Sequence, residues 1–455
     1  MSVHARAMSD RQIVVRSMVS RWFSTLLTVL TVAVAVALMI VLVSLRSSAK
    51  SVFERGSGNM HLLVSADTSP LASVLNSVFY AGTPSRSLGY IEQQRLARDP
   101  RVAWAVPTLV GDSYKGFPVV ATTPDFFSKF SIDVRSLSTS ASEISTWKMQ
   151  TGKVFKSNFQ VVLGSDVASS TGLQVGDHMS LTHGMSGAGG HVHDEFVFDV
   201  VGVLARTGTP HDRAVFVSLE SSWILHAHDR REREGLIEHD EHDNHDHHDH
   251  EGHDHPPPTT LDDVTLDDQR ITAIMVHGRT REGRSTSASI GAIAGELRSN
   301  PLLTVADPTA EVNSLFELIG GIDIVLRAMA GVVLVSSSIG IMLALYNSMD
   351  QRKRQIAVLR VLGASRWRVL RLVLAEAMMI GILGALLGLV MAFAGSALVT
   401  SVLRALTGVV VQPNISGLAT LGIGAGAVVL ATLAGLVPAV MAYRTSVAKN
   451  LKPLG

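Results

Sequence analysis

"QRKRQIAVLRVLGASRWRVLRLVLAEAMMIGILGALLGLVMA", residues 351–392, joins a basic segment to an apolar run rich in glycine and alanine. Arg352, Lys353, Arg354, Arg360, Arg366, Arg368 and Arg371 crowd the first half, and Glu376 is the sole charge in the second. Arginines abutting an apolar stretch of about 20 residues mark a cytoplasmic loop that enters a bilayer. The small residues allow helices to approach closely in lipid.

Three further stretches have the same character. Residues 24–45, "STLLTVLTVAVAVALMIVLVSL", carry no charge. Their length suits a retained signal anchor, since a cleaved signal peptide has a shorter apolar core. Residues 326–346 and 418–443 form the second and fourth spans, and 372–403 the third, long enough to tilt or contain a break. Arg6, Arg11, Arg16 and Arg21 precede span one, and Arg444, Lys449 and Lys452 follow span four. The 404–417 turn carries only Arg404. The positive-inside rule therefore puts both termini (1–23 and 444–455) and the 347–371 segment in the cytoplasm. The insert 46–307 then lies on the periplasmic side of a cell inner membrane.

Composition agrees. The chain has 455 residues, 47% hydrophobic and only 17% charged, against roughly a quarter charged in soluble proteins. Lys+Arg and Asp+Glu balance at 39 each, which argues against nucleic acid as a partner and leaves membrane lipid. Cysteine is absent, which excludes disulfides and thiolate metal sites.

Within the insert, apolar–polar alternation around Gly and Pro reads as strands and turns in "VAWAVPTLVGDSYKGFPVVATTPDFF". "FQVVLGSDVASSTGLQVGDHMSL" reads as strand, short helix, turn and strand, and "EFVFDVVGVLARTGTPHDRAVFVSL" as two strands around a turn. The fold class expected is an α-helical membrane protein with four transmembrane helices and a large α+β domain, in two lobes, between helices one and two. From Pro308 to Arg360 the chain can be almost continuously helical, so 308–325 forms a stalk, with Gly320-Gly321 a possible bend. Asp323 and Arg327, spaced i, i+4, fit either an interfacial pair with snorkelling or a functional intramembrane pair. Glu376 fits a salt bridge with Arg371 or Arg368.

The segment 226–260 is a low-complexity loop. It carries His239, His242, His245, His247, His248, His250, His253 and His255 among acidic residues. Imidazole and carboxylate ligate Zn²⁺, and imidazole suits other divalent transition metals. Without apolar neighbours they give many interchangeable sites, so the loop reads as flexible metal capture or as a solvated linker. A second group, His183, His191 and His193, with Asp194 and Glu195 beside them, is a candidate for an ordered site. His211 and Asp212 follow on a later turn. Catalysis is not indicated: G-x-S-x-G and H-E-x-x-H are absent, and Ser165-Asp166 stands alone. No G-x-x-x-x-G-K-[ST] occurs, so the chain has no phosphate-cradling loop of its own.

Residues 352–354, "IAVLRVLGAS" (356–365), "LAEA" (374–377) and the ending "PAVMAYRTSVAKNLKP" (438–453) resemble the FtsX-like permease domain of MacB-type ABC transporters. "VVLGSDVASSTGLQVGDHMSL" and "FDVVGVLARTGTPHDRAVFVSL" resemble the periplasmic core domain of the same proteins. The resemblance implies a permease subunit, not itself an enzyme, served by a separate ABC ATPase subunit and paired with a second permease copy. It implies mechanotransmission: ATP-driven closure is passed through stalks to the periplasmic domain. Arg352, Arg354, Ile356, Leu359, Arg360, Gly363, Ala364 and Ser365 would then couple to the ATPase, although any positive-inside loop is basic. The histidine-rich loop departs from most such permeases. It favours zinc handling or sensing, with a periplasmic metal-binding or adaptor protein as partner. The alternatives are an FtsX-like regulator that activates a periplasmic partner without transport, and a Lol-type permease that extracts lipoprotein or lipid.

Overall fold

The computed structural model describes residues 9–132, 147–183, 195–236, 259–280, 287–361, 363–407 and 417–444. In chain order the helices are α1 (Asp10–Val19), α2 (Trp22–Ser57), α3 (Pro70–Ser77), α4 (Ile91–Ala97), α5 (Asp125–Lys129), α6 (Ser165–Thr171), α7 (Leu219–Arg233), α8 (Ile290–Arg298), α9 (Pro308–Val361), α10 (Arg366–Thr407), α11 (Gly417–Ala434) and α12 (Leu436–Arg444). The strands are β1 (Leu62–Ser65), β2 (Leu88–Gly89), β3 (Val102–Tyr114), β4 (Phe117–Thr122), β5 (Met149–Gly152), β6 (Gln160–Leu163), β7 (His178–Met179), β8 (Thr182–His183), β9 (Phe198–Leu204), β10 (Val215–Ser218), β11 (Arg270–Ile271), β12 (Ala273–Gly278) and β13 (Thr304–Ala306). They fall into two compact units. One comprises residues 1–49 and 317–455, and the other 50–316.

Among the described residues, four helical stretches are long and apolar enough to cross a membrane: Trp22–Ser48, Pro308–Met349, Arg366–Ser401 and Gly417–Arg444. Their packing depends on small residues. A Cβ added at Gly381 would sit 2.8 Å from that of Ala431. One at Gly384 would sit 2.6 Å from Val32 Cγ1, and one at Gly388 2.8 Å from the Ala33 carbonyl. The glycines of "GILGALLG" thus let α10 touch both α2 and α11, which sequence composition had suggested. The last span is interrupted at Gly435, where a side chain would press on Ala377 Cβ and where Pro438, two residues into α12, has no N–H. Ahead of α2, a capping box between Ser9 and Gln12 starts α1, a helix not foreseen in the sequence. Val14 and Met18 bury its inner face in the same core as α10.

The second unit is built on one mixed sheet. Its path is β13-β1-β12-β3-β4-β10-β6-β9-β5, with β7 against β9 and β8 against β3. The two lobes expected from sequence are therefore joined, through the parallel pairing of β4 with β10. The two strands read as a turn-linked pair, β9 and β10, are separated by β6, which runs parallel to β9 and antiparallel to β10. Local patterning specifies strands but not which long-range neighbour lies between them. Both faces are covered, which explains the runs of consecutive apolar residues. Val215 and Val217 face a core shared with α4, α7 and α8, while Phe216 faces the other, which is rich in aromatics. Lys115 and Gly116, with φ of 48° and 83°, make the tight turn between β3 and β4.

Candidate functional site

α2 continues to Ser57 and then turns into β1 through Gly58 and Asn59. This exit is held by contacts from several elements of the sheet domain. Phe53 packs between Phe79, at 4.4 Å between ring centroids, and Phe316 of α9, at 5.5 Å edge to face. The membrane-entering helices α2 and α9 thus share one aromatic contact inside the domain. The loop 207–213, "TGTPHDR", closes over the helix end. Asp212 is buried and accepts hydrogen bonds from the Thr207 amide (2.8 Å) and hydroxyl (2.7 Å) and from the Gly208 amide (2.7 Å). Those bonds shape the loop so that His211 points inward.

His211 is fully buried among Phe126, Phe130, Trp147 and Phe216. Its partners fix its tautomer. The Gly56 carbonyl can only accept, so Nε2–H donates to it at 3.2 Å, and the Tyr80 hydroxyl donates to Nδ1 at 2.7 Å. Burial pushes the imidazole pKa down to about 4, against the opposing pull of the Gly56 carbonyl. Burial likewise raises the Tyr80 hydroxyl well above its ordinary value. Gly56 is small because a side chain there would meet Phe79 at 2.8 Å. Three residues on, a second histidine repeats the contact: His277 on β12 donates from Nδ1 to the Asn59 carbonyl. It stacks on His61 (4.1 Å) and Trp104 (5.3 Å), and burial lowers its pKa to about 4.

The sequence candidates are distributed as follows. His211 and Asp212, considered alongside His183, His191 and His193 for an ordered site, are core residues with their polar atoms occupied. His183 lies on β8, whereas His191, His193 and the series His239, His242, His245, His247, His248, His250, His253 and His255 lie outside the described residues. Among the described residues no group of three His, Asp or Glu side chains is placed to hold a metal ion. One arrangement bears on both histidine-bearing segments. His228 of α7 pairs through Nε2 with Glu195 at 2.9 Å, and its Nδ1 lies 3.1 Å from the Thr259 hydroxyl. Glu195 and Thr259 are the first described residues after 184–194 and after 237–258.

Arg352, Arg354, Ile356, Leu359 and Arg360 occupy the last turns of α9. Ile356 is buried with Met349, Val369, Val373, Ala439 and Ala442. Gly363, at φ +96°, ends that helix, and Ser365 Oγ accepts the Arg368 amide at 3.2 Å to start α10. Ala364 lies between them. Asp323 and Arg327 lie within α9, which shows no break at Gly320-Gly321. Glu376 is buried but pairs with Arg21 (2.7 Å) and Ser17 (3.3 Å), while Arg368 pairs with Asp10 at 2.7 Å. Arg371 and Arg368 are five and eight residues from Glu376, off its helical face, and the packing of α1 on α10 brings the true partner.

This is a multi-span membrane protein with a two-sided α/β domain inserted after the first helix. Residues 327–447 match the FtsX-like permease C-terminal family, and residues 25–243 match the MacB-like periplasmic core domain. The chain belongs to the MacB/FtsX-like permeases of ABC transporters, inner-membrane proteins whose members work with an ABC ATPase, generally as dimers. Among solved structures it is similar to the periplasmic region of MacB from Actinobacillus actinomycetemcomitans, at 9% identity and TM-score 0.30, covering 56% of this chain and 94% of that one. It is also similar to the extracellular domain of the noncanonic ABC-type transporter YknZ from Gram-positive bacteria, at 8% identity and TM-score 0.27, covering 54% and 98%. No curated protein sequence matches.

Proposed function

We propose that the chain is the permease subunit through which a separate ATPase does conformational work on a periplasmic domain, and that this work serves divalent metal handling, with zinc foremost. Both termini and the α9–α10 turn face the cytoplasm, where Arg352, Arg354 and Arg360 flank the ATPase docking surface and Gly363 makes the turn. The observation that carries this reading is the shared foot of α2 and α9. Phe53, Phe79 and Phe316 interlock there, so a change in the angle or height of either helix is felt by the sheet domain.

The metal part rests on the chemistry of 239–255 and on the meeting of Glu195, His228 and Thr259, which brings the re-entry points of both histidine-bearing segments to one helix. Neutral imidazoles of the loop would hold the ion together with its carboxylates. His211 is excluded from that role, because the Gly56 carbonyl and the Tyr80 hydroxyl occupy both of its ring nitrogens.

The test is reconstitution with the partner ATPase in lipid. Replacing Arg352, Arg354 and Arg360 together with alanine should abolish the permease's stimulation of ATP hydrolysis. Zn²⁺ should change that stimulation in the intact chain but not in one lacking 237–258. Stimulation indifferent to the arginines removes the docking assignment. A zinc effect that survives the deletion removes the loop.

A further inference from the structure

The sequence around the α2 exit, "ERGSGN", has the makings of a hinge, with two glycines in three residues. Glycine's conformational freedom would let a pushed or turned helix bend there, and the motion would be lost before it reached the sheet. The structure shows that freedom removed on every side. Gly58 takes φ +53°, and a side chain on it would collide with the Ser131 carbonyl. The Asn59 amide donates to the Ser131 carbonyl and its Oδ1 accepts the Ser131 amide, both at 2.9 Å, while its Nδ2 donates to the Lys129 carbonyl at 3.1 Å. Gly56 contributes one of the last carbonyls of α2, which have no partner inside the helix. His211 from the 207–213 loop takes that carbonyl, and His277 from β12 takes the carbonyl of Asn59.

We propose that His211 and His277 are positioning residues that lock the glycine-rich exit of α2 to the sheet domain, so that displacement of the helix moves the domain as one body. The proposal rests on the transmission reading above. His211 ties the helix to the aromatic core around Trp147 and Phe216, and His277 ties the turn to the central pair β12–β3. Two anchors, three residues apart and from different elements, resist both pulling and twisting. A single anchor would resist only pulling. Tyr80 completes the first anchor, since its hydroxyl occupies the remaining ring nitrogen of His211 and so holds the ring in the donating tautomer.

The test uses the complex reconstituted with its ATPase, with spin labels on the sheet domains of two copies. The readout is the nucleotide-dependent change in label distance at matched ATP turnover. The double variant His211→Phe/His277→Leu removes both donors and should lose at least half of the wild-type change. The variant His211→Gln/His277→Asn places an amide nitrogen where each donating ring nitrogen lies, and should restore most of it. A donor-less variant that keeps the full change overturns the proposal. Hydrogen exchange of residues 53–62 in the wild-type complex gives a second test that does not depend on variants folding. Equal protection with and without trapped nucleotide supports a lock, and protection lost in either state overturns it. A wild-type complex with no distance change at all would instead sink the transmission reading, and the exchange result would still decide whether the exit is rigid.

Discussion

His211 makes the sheet domain acid-sensitive in a way that can be calculated. It is neutral in the folded state with a pKa of about 4, against 6.5 when exposed. The unfolded chain therefore binds the extra proton first as pH falls. The stability this group contributes is intact above pH 6.5, declines between 6.5 and 4, and is constant below. At pH 4.5 the unfolded ring is almost fully protonated and the folded ring mostly neutral, which amounts to a loss on the order of 2–3 kcal/mol relative to pH 7.5. The shift comes from burial opposed by the Gly56 hydrogen bond, and the carboxylate of the neighbouring Asp212 is occupied by the Thr207 and Gly208 amides. The assay is denaturant unfolding of the detergent-solubilised chain at pH 7.5 and 4.5, read from Trp147, whose ring centroid is 5.5 Å from that of His211. Other carboxylates titrate in the same range, so His211→Phe is the control. It should be less stable than wild type at pH 7.5, having lost a hydrogen bond, yet lose roughly 2–3 kcal/mol less on acidification. Identical pH dependence in the two proteins would refute the assignment of a neutral buried imidazole.

Gly384→Val drives a branched side chain into Val32 and should cost about 1–3 kcal/mol by overpacking, whereas Gly395→Ala, with its nearest neighbour at 3.8 Å, should be neutral or stabilising; thermal unfolding in detergent distinguishes them. Arg21→Ala removes the 2.7 Å ion-pair contact to buried Glu376 and should destabilise by roughly 1.5–3 kcal/mol; adding Glu376→Gln should recover part of the loss, and a silent Arg21→Ala would show that the pair contributes nothing. Calorimetry should find several Zn²⁺ ions of low to moderate affinity on the full chain at pH 7.5, fewer as pH falls through about 6.5, and a large loss of sites on deleting 237–258; unchanged stoichiometry would mean that the loop is a linker.

The membrane part of the fold was legible because lipid imposes a simple rule: uncharged runs of sufficient length, bounded by arginines. The small residues of "GILGALLG" even pointed to close packing, although which helix each glycine meets depends on the assembled bundle. Strands were legible for the same local reasons, and their order was not. The position of β6 between β9 and β10 is decided by pairing across long separations. The candidate site divides along the same line. The histidine-rich run stands out by composition, whereas the histidines that hold the helix exit are isolated in sequence, at 211 and 277, and resemble any others. Their signal was indirect. A glycine-rich helix end that must hold firm needs donors for its last carbonyls: the Gly58 amide serves that of Arg55, while that of Gly56 is served from 155 residues away. Glu376 teaches a similar lesson, since its nearest arginines in sequence are on the wrong face and its partner comes from a helix start more than three hundred residues away.

The central claim is that nucleotide turnover in a partner ATPase moves the sheet domain through α2 and α9. The α9 helix, 54 residues or about 80 Å long, supplies the reach. The most direct measurement is the distance between spin labels on the sheet domains of two copies in reconstituted membranes, taken without nucleotide and with a trapped hydrolysis intermediate. The account predicts two distinct distance distributions, with the shift present only when the ATPase is bound and active. Identical distributions alongside full ATP turnover would contradict it.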